Sequence, residues 1–201
     1  MNLLYFAVCL GMVALADSHG YLQDPLARTS RHLAPDEPYR PPYWYDNSGV
    51  WCDNVQQDQS FSSCGRCGEA AGNSDASQGG IYDKGVIEKT YTSGSIIEIT
   101  ADISAAHGGG FQVELCPQVT ETDSCFQTLT IVSSNLPMWD NRVCVPNGSA
   151  VATARVQLPS GVRCSRCTLR WTYRTSYPPN PECHNPEPAQ TFRNCADVAI
   201  V

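Results

Sequence analysis

Eleven cysteines in 201 residues constrain this chain more than any other feature. A reduced cytosolic protein rarely carries so many, whereas a small exported domain held by disulfides does. Cys9 stands apart from the rest. Met1 to Ala16 is an apolar run without Lys, Arg, Asp or Glu. It is shorter than the roughly 20 residues of a spanning helix and ends in small residues, so residues 1–18 read as a secretory signal. Two cleavage points fit the small-x-small pattern. One, after Ala16, frees Asp17 and is slightly favoured by the pattern alone; the other, after Ser18, frees His19. Removing residues 1–18 takes Cys9 away and leaves Cys52, Cys64, Cys67, Cys116, Cys125, Cys144, Cys164, Cys167, Cys183 and Cys195. An even number in a secreted chain reads as five disulfides. Ten cysteines allow on the order of a thousand pairings, so the pairing stays open. Cys116 with Cys125 is a local guess, since a short turn between adjoining strands would bring them together. Two CxxC units, Cys64 to Cys67 and Cys164 to Cys167, raise a zinc alternative. The interval between them is far longer than a compact zinc module uses, and the exported route argues against free thiolates.

What the disulfides hold is one domain, residues 19–201, on length alone. Asp and Glu number 20 against 13 Lys and Arg, a net charge of −7. Such a chain has no basic footprint for nucleic acid or anionic lipid, and no second apolar run of membrane length. A secreted, soluble monomer is expected. From Gly20 to Gly80 turn-forming residues recur without a helical period, around an aromatic patch at Tyr39, Tyr43, Trp44, Tyr45 and Trp51. Beyond it short alternating segments follow: Ile97, Ile99 and Ala101; Phe111, Val113 and Leu115; Phe126 to Val132; Val151 to Leu158; Leu169, Trp171 and Tyr173; then a short apolar end from Val198. Spaced, alternating strands predict an all-β antiparallel sandwich of immunoglobulin or fibronectin-III type, with long loops pinned by disulfides. Asn147-Gly-Ser149 is an N-glycosylation sequon, expected in a turn.

Four histidines are present: His19, His32, His107 and His184. As a mature amino terminus, His19 would offer its α-amine and its imidazole Nδ1 to one metal ion. A second imidazole completes three nitrogens in a T, an arrangement that suits copper(II). His107, in the small-residue run Ser104-Ala-Ala-His107-Gly-Gly-Gly110, is the natural partner. The plain alternatives are a frayed terminus and a loop histidine capping a turn, and spacing alone favours those. His32 and His184 read as surface or loop residues.

His19-Gly-Tyr21, Cys64-Gly-Arg-Cys67-Gly, Ala105-Ala-His107, Phe111 to Pro117 and Gln190 to Asp197 occur in an order that resembles the lytic polysaccharide monooxygenases. More narrowly they are similar to auxiliary activity family 15, the arthropod-rich group that shares the type-4 chitin-binding domain, over residues 19 to 200. The resemblance selects cleavage before His19 and implies one copper ion held by His19 and His107. It puts Phe192 where relatives carry an axial Tyr or Phe; phenylalanine cannot ligate, so it would shield that face. Ala105 matches a small residue lying against the copper on the solvent side. The Gly108-Gly-Gly110 run departs from the family pattern and leaves the stiffness of that loop open. The implied activity takes electrons from an external donor, uses hydrogen peroxide or dioxygen, and hydroxylates C1 or C4 of a β-1,4-linked sugar. No acid–base carboxylate pair is needed, unlike in a glycoside hydrolase. The substrate is expected to be an insoluble, uncharged polysaccharide, chitin first and cellulose second. Tyr43, Trp44 and Tyr45 are candidates to stack on sugar faces, against ordinary loop packing. Rival readings are a non-catalytic chitin-binding module, a secreted copper-sequestering protein and a disulfide-rich structural protein.

Overall fold

Where apolar residues alternate with polar ones, the chain forms strands whose apolar sides meet in a single core. The computed structural model describes residues 19–34, 52, 57–176, 180–184 and 187–201. Among them eleven strands run in chain order: β1 (His19–Asp24), β2 (Lys89–Tyr91), β3 (Ile96–His107), β4 (Gly110–Cys116), β5 (Gln127–Thr128), β6 (Thr130–Ser134), β7 (Met138–Trp139), β8 (Arg142–Cys144), β9 (Asn147–Gln157), β10 (Cys164–Arg174) and β11 (Thr191–Ile200). A 3-10 turn at Arg28–Leu33 is the single helical element among the described residues. One sheet has the order β1-β3-β9-β6, the other β2-β11-β10-β4-β8-β7 with β5 beside β4. The expected sandwich is thus the observed one, antiparallel except where β2 joins β11 in parallel.

Ile99, Ala101 and Ile103 of β3 and Ala152, Ala154 and Val156 of β9 face Phe111, Val113, Leu169 and Trp171 from the other sheet, all fully buried. Trp171 sits at the centre, with ring centroids 5.8 Å from Phe111 and 5.9 Å from Tyr173. Burying each Val, Leu, Ile or Phe side chain among them contributes roughly 1.5–3 kcal/mol.

Two elements differ from the sequence reading, and a third goes beyond it. β1 lies in the stretch expected to be loop, because only Gly20 and Leu22 carry its buried side, too short a pattern to register. Asn147 opens β9 rather than sitting in a turn, and it is exposed. The alternation in β10 does not separate core from solvent, for Thr168, Arg170, Thr172 and Arg174 on its polar side are buried too. Residues 57–88 and the 3-10 turn cover this outer face and supply partners for it. Arg28 donates to Asp197 at 2.6 and 2.9 Å and to Glu121 at 2.9 Å. Arg170 makes a two-pronged pair with Glu114 at 2.7 and 2.8 Å and stacks 3.7 Å from the Phe126 ring centroid. The sandwich therefore has a second, charged interior behind its apolar one.

All ten cysteines pair: Cys52 with Cys64, Cys67 with Cys195, Cys116 with Cys125, Cys144 with Cys183 and Cys164 with Cys167. Cys67–Cys195 ties the covering segment to β11. With these sulfurs engaged, no cysteine thiolate remains for zinc among the described residues. The cluster of Cys67, Cys195 and Glu121 is excluded as a metal site for the same reason.

Candidate metal centre

Two strands of the smaller sheet bring the two histidines together. In the β1–β3 ladder His19 stands opposite Ala105, two residues before His107 on the same strand. Residues i and i+2 of a strand share a face, so Ala105 and His107 project to the same side. Cross-strand partners and their diagonal neighbours lie within roughly 8 Å of one another, near enough for two imidazoles to converge. Both histidines are half-buried at the strand ends.

His107 is held from its backbone. Its N–H donates to the Tyr173 hydroxyl at 3.2 Å, and that hydroxyl donates to the Gly108 carbonyl at 2.7 Å. Its own carbonyl accepts the Ser176 N–H at 3.2 Å. The chain then crosses to the other sheet through Gly108 and Gly109, at φ of 61° and 79°. A Cβ on Gly109 would lie 2.0 Å from the Arg174 carbonyl oxygen, so only glycine fits there. The run that left the loop's stiffness open in the sequence is a tightly packed crossing.

The imidazole itself is less satisfied than its backbone. His107 Nε2 is buried and has no hydrogen-bond partner among the described residues. An orphaned buried polar nitrogen costs about 1–3 kcal/mol, and a metal ion would use its lone pair. These residues fit copper: an imidazole nitrogen without a partner, beside a second histidine, in a set without thiolate.

Phe192 is 2% exposed, with its ring 5.7 Å from that of Tyr173, the residue that holds the His107 backbone, and nearly parallel to it. It is packed as part of the sandwich core. Asn194, two residues on, accepts the Leu22 N–H at 2.8 Å and so grips β1 from the opposite sheet. Neither Tyr173 nor Asn194 was singled out in the sequence. Both read as strand residues, and only the contact across the sandwich reveals that they fix the two histidine strands. His32 lies on the 3-10 turn, and His184 lines a separate cavity that neither His19 nor His107 lines. Tyr43, Trp44 and Tyr45 lie outside the described residues, as do residues 1–18.

A sequence profile for the family described as lytic polysaccharide mono-oxygenase, cellulose-degrading, matches residues 19–198. Among solved structures, a lytic polysaccharide monooxygenase of auxiliary activity family 15 from Thermobia domestica, in its Cu(I) state, is 30% identical. The match covers 90% of this chain and 98% of that one, with a TM-score of 0.73. A chitin binding domain from Burkholderia pseudomallei shares the fold at 11% identity, covering 92% of this chain and 100% of that one, with a TM-score of 0.50. No curated protein sequence matches.

Proposed function

Because the chain belongs to the lytic polysaccharide monooxygenases, and within them to auxiliary activity family 15, we propose that it is a secreted copper enzyme that oxidatively cleaves crystalline chitin. Cleavage before His19 frees the amine that joins the His19 and His107 imidazoles around one copper ion. The observation that carries this reading is the buried, partnerless Nε2 of His107 beside His19 in the β1–β3 register. Copper, when bound, supplies one-electron chemistry toward dioxygen or hydrogen peroxide, with electrons from an external donor.

The chain's own residues supply placement. Tyr173 fixes the His107 backbone, Asn194 fixes β1, and Phe192 gives the buried side an apolar wall without a ligating atom. Ala105, beside His19 and without bulk, leaves the outer side accessible to a polymer surface. A rigid ligand set needs no rearrangement during turnover. Chitin is placed first because family 15 shares the type-4 chitin-binding domain, and cellulose is the second substrate to test.

The test is product analysis. Copper-loaded protein with a reductant and hydrogen peroxide should release oxidised oligosaccharides from chitin. His107→Ala should fold, bind no copper and release none. Unchanged release by His107→Ala contradicts the mechanism. Chitin binding without any oxidised product from the wild type, on chitin or cellulose, replaces it with a plain binding module.

A further inference from the structure

On the outer face of the seven-stranded sheet, beside Gly110 at the start of β4, a cavity of about 190 Å³ lies between the sheet and its covering loops. That is the liquid volume of about six waters, room for a small organic molecule. Arg142, Arg174, His184, Gln112, Thr172 and Phe61 are among its lining residues, and among the described residues no carboxylate lines it. In a chain of net charge −7 this is a cationic hollow.

Its positive charge is poorly neutralised. Arg174 is 8% exposed, and its guanidinium donates to the carbonyls of Gln57, Asp58 and Glu187, not to an acid. Its Nε is buried and has no partner among the described residues. Arg142 has one ion pair among the described residues, a loose 3.7 Å contact to Asp140, whose side chain is 72% exposed. Behind Phe61 stands Arg193, 4.7 Å from the ring centroid and buried. The protonation equilibria agree with the geometry. Burial pushes Arg174 down, with Asp58 opposing it. Burial, then Arg142 and Arg174, push His184 down, against Glu182 and Asp140. Burial and the neighbouring Arg170 push Arg193 down to about 10. The Arg174 and Arg193 cations would gain from an added anion, and an anion would favour the protonated form of His184.

We propose that this cavity binds a small hydroxylated carboxylate, its carboxyl group among Arg142, Arg174 and His184 and its hydroxyls toward Gln112 and Thr172. A guanidinium fork matches a carboxylate's two oxygens, amide and hydroxyl groups suit an alcohol-rich body, and the Phe61 ring gives that body an apolar wall. The site is separate from the histidine pair, so its occupation does not depend on copper.

Calorimetric titration of gluconate into the secreted, copper-loaded protein tests this, with neutral glucose as control. One gluconate should bind per chain, and glucose should not. Arg142→Gln should weaken gluconate by about tenfold or more through loss of a charge-assisted pair, whereas Arg142→Lys, which keeps the charge but not the fork, should recover part of that loss. Circular dichroism should show both variants folded. Arg142 from β8, Arg174 from β10, Glu182 from the same loop and Asp140 from the β7–β8 turn are the charged groups acting on His184. A bound anion favours protonated His184, so affinity should fall as pH rises through the histidine range, and His184→Gln should flatten that slope. Equal binding of glucose, full gluconate affinity in folded Arg142→Gln, or no binding by wild type overturns the site.

Discussion

The Tyr173 hydroxyl is the smallest unit on which the histidine site depends, since it holds both the His107 N–H and the Gly108 carbonyl. A buried tyrosine must find partners for its hydroxyl, and here those partners are the last residue of one sheet and the first of the crossing. Nothing in the order of residues announces this. Tyr173 is one more inward residue of an alternating strand, and only folding brings it 66 positions back along the chain to His107. The histidines stood out by residue type, one at the end that the expected cleavage would free and one in a run of small residues, but spacing alone favoured plain readings and the family resemblance singled them out. Gly109 shows how little slack the crossing has. Gly109→Ala combines a positive φ with a Cβ placed 2.0 Å from a backbone oxygen. It should lose more than about 2 kcal/mol of stability in urea denaturation. Gly161, also at positive φ but with open space around it, gives the matching control: Gly161→Ala should cost about 1 kcal/mol, the backbone strain alone.

At the scale of elements, the β3–β9 ladder has a consequence for the site. His107 pairs with Asn147, the exposed acceptor of the sequon. Directly paired residues in an antiparallel ladder have Cα atoms about 4.5–5.5 Å apart, so a glycan on Asn147 stands beside the proposed copper face. Enzymatic deglycosylation, or Asn147→Gln, should therefore increase binding to insoluble chitin without changing copper affinity. A pull-down comparing the glycosylated and deglycosylated protein reads this directly, and equal binding would place the glycan clear of the polymer. The strands that form this ladder were visible as alternation, because their apolar side faces the core and their polar side faces water. β11 was visible only from Val198 onward. Both of its sides are buried, one by the apolar core and one by the covering segment, so Arg193, Asn194 and Asp197 interrupt the pattern that marks a strand.

The whole molecule is two interiors on either face of one sheet, and the outer one explains the loop-rich first half of the sequence. The chain from residue 57 to 88 forms little regular structure because its task is to pair with charges that β10 and β11 present. The loops were legible in the composition, but arginines alternating with apolar residues do not announce a layer that buries them, and the covering segment carries no period that identifies it as their partner. Arg28 lies between Asp197 and Glu121, all three nearly excluded from water. Arg28→Ala leaves two buried carboxylates facing each other and should cost about 3–5 kcal/mol in chemical denaturation. The same layer sets an acid limit. Burial raises the Asp83 carboxyl, but the N–H groups of Gly79 and Gly85 and the Arg166 guanidinium outweigh it and hold the carboxyl below its ordinary range. A carboxyl depressed in the folded state stabilises above its unfolded value, near pH 4, and that stability is lost as pH falls through the folded value. Asp83→Asn should remove this part of the pH dependence in melting temperatures recorded between pH 2 and 6. The central claim, that His19 and His107 hold one copper ion, is tested most directly by the native intact mass of the deglycosylated, secreted protein before and after chelation. A chain beginning at His19, ten hydrogens lighter for five disulfides, and carrying one copper that a chelator removes is the predicted result. A chain beginning at Asp17, with its His19 amine locked in a peptide bond, or one that takes up no copper, would contradict it.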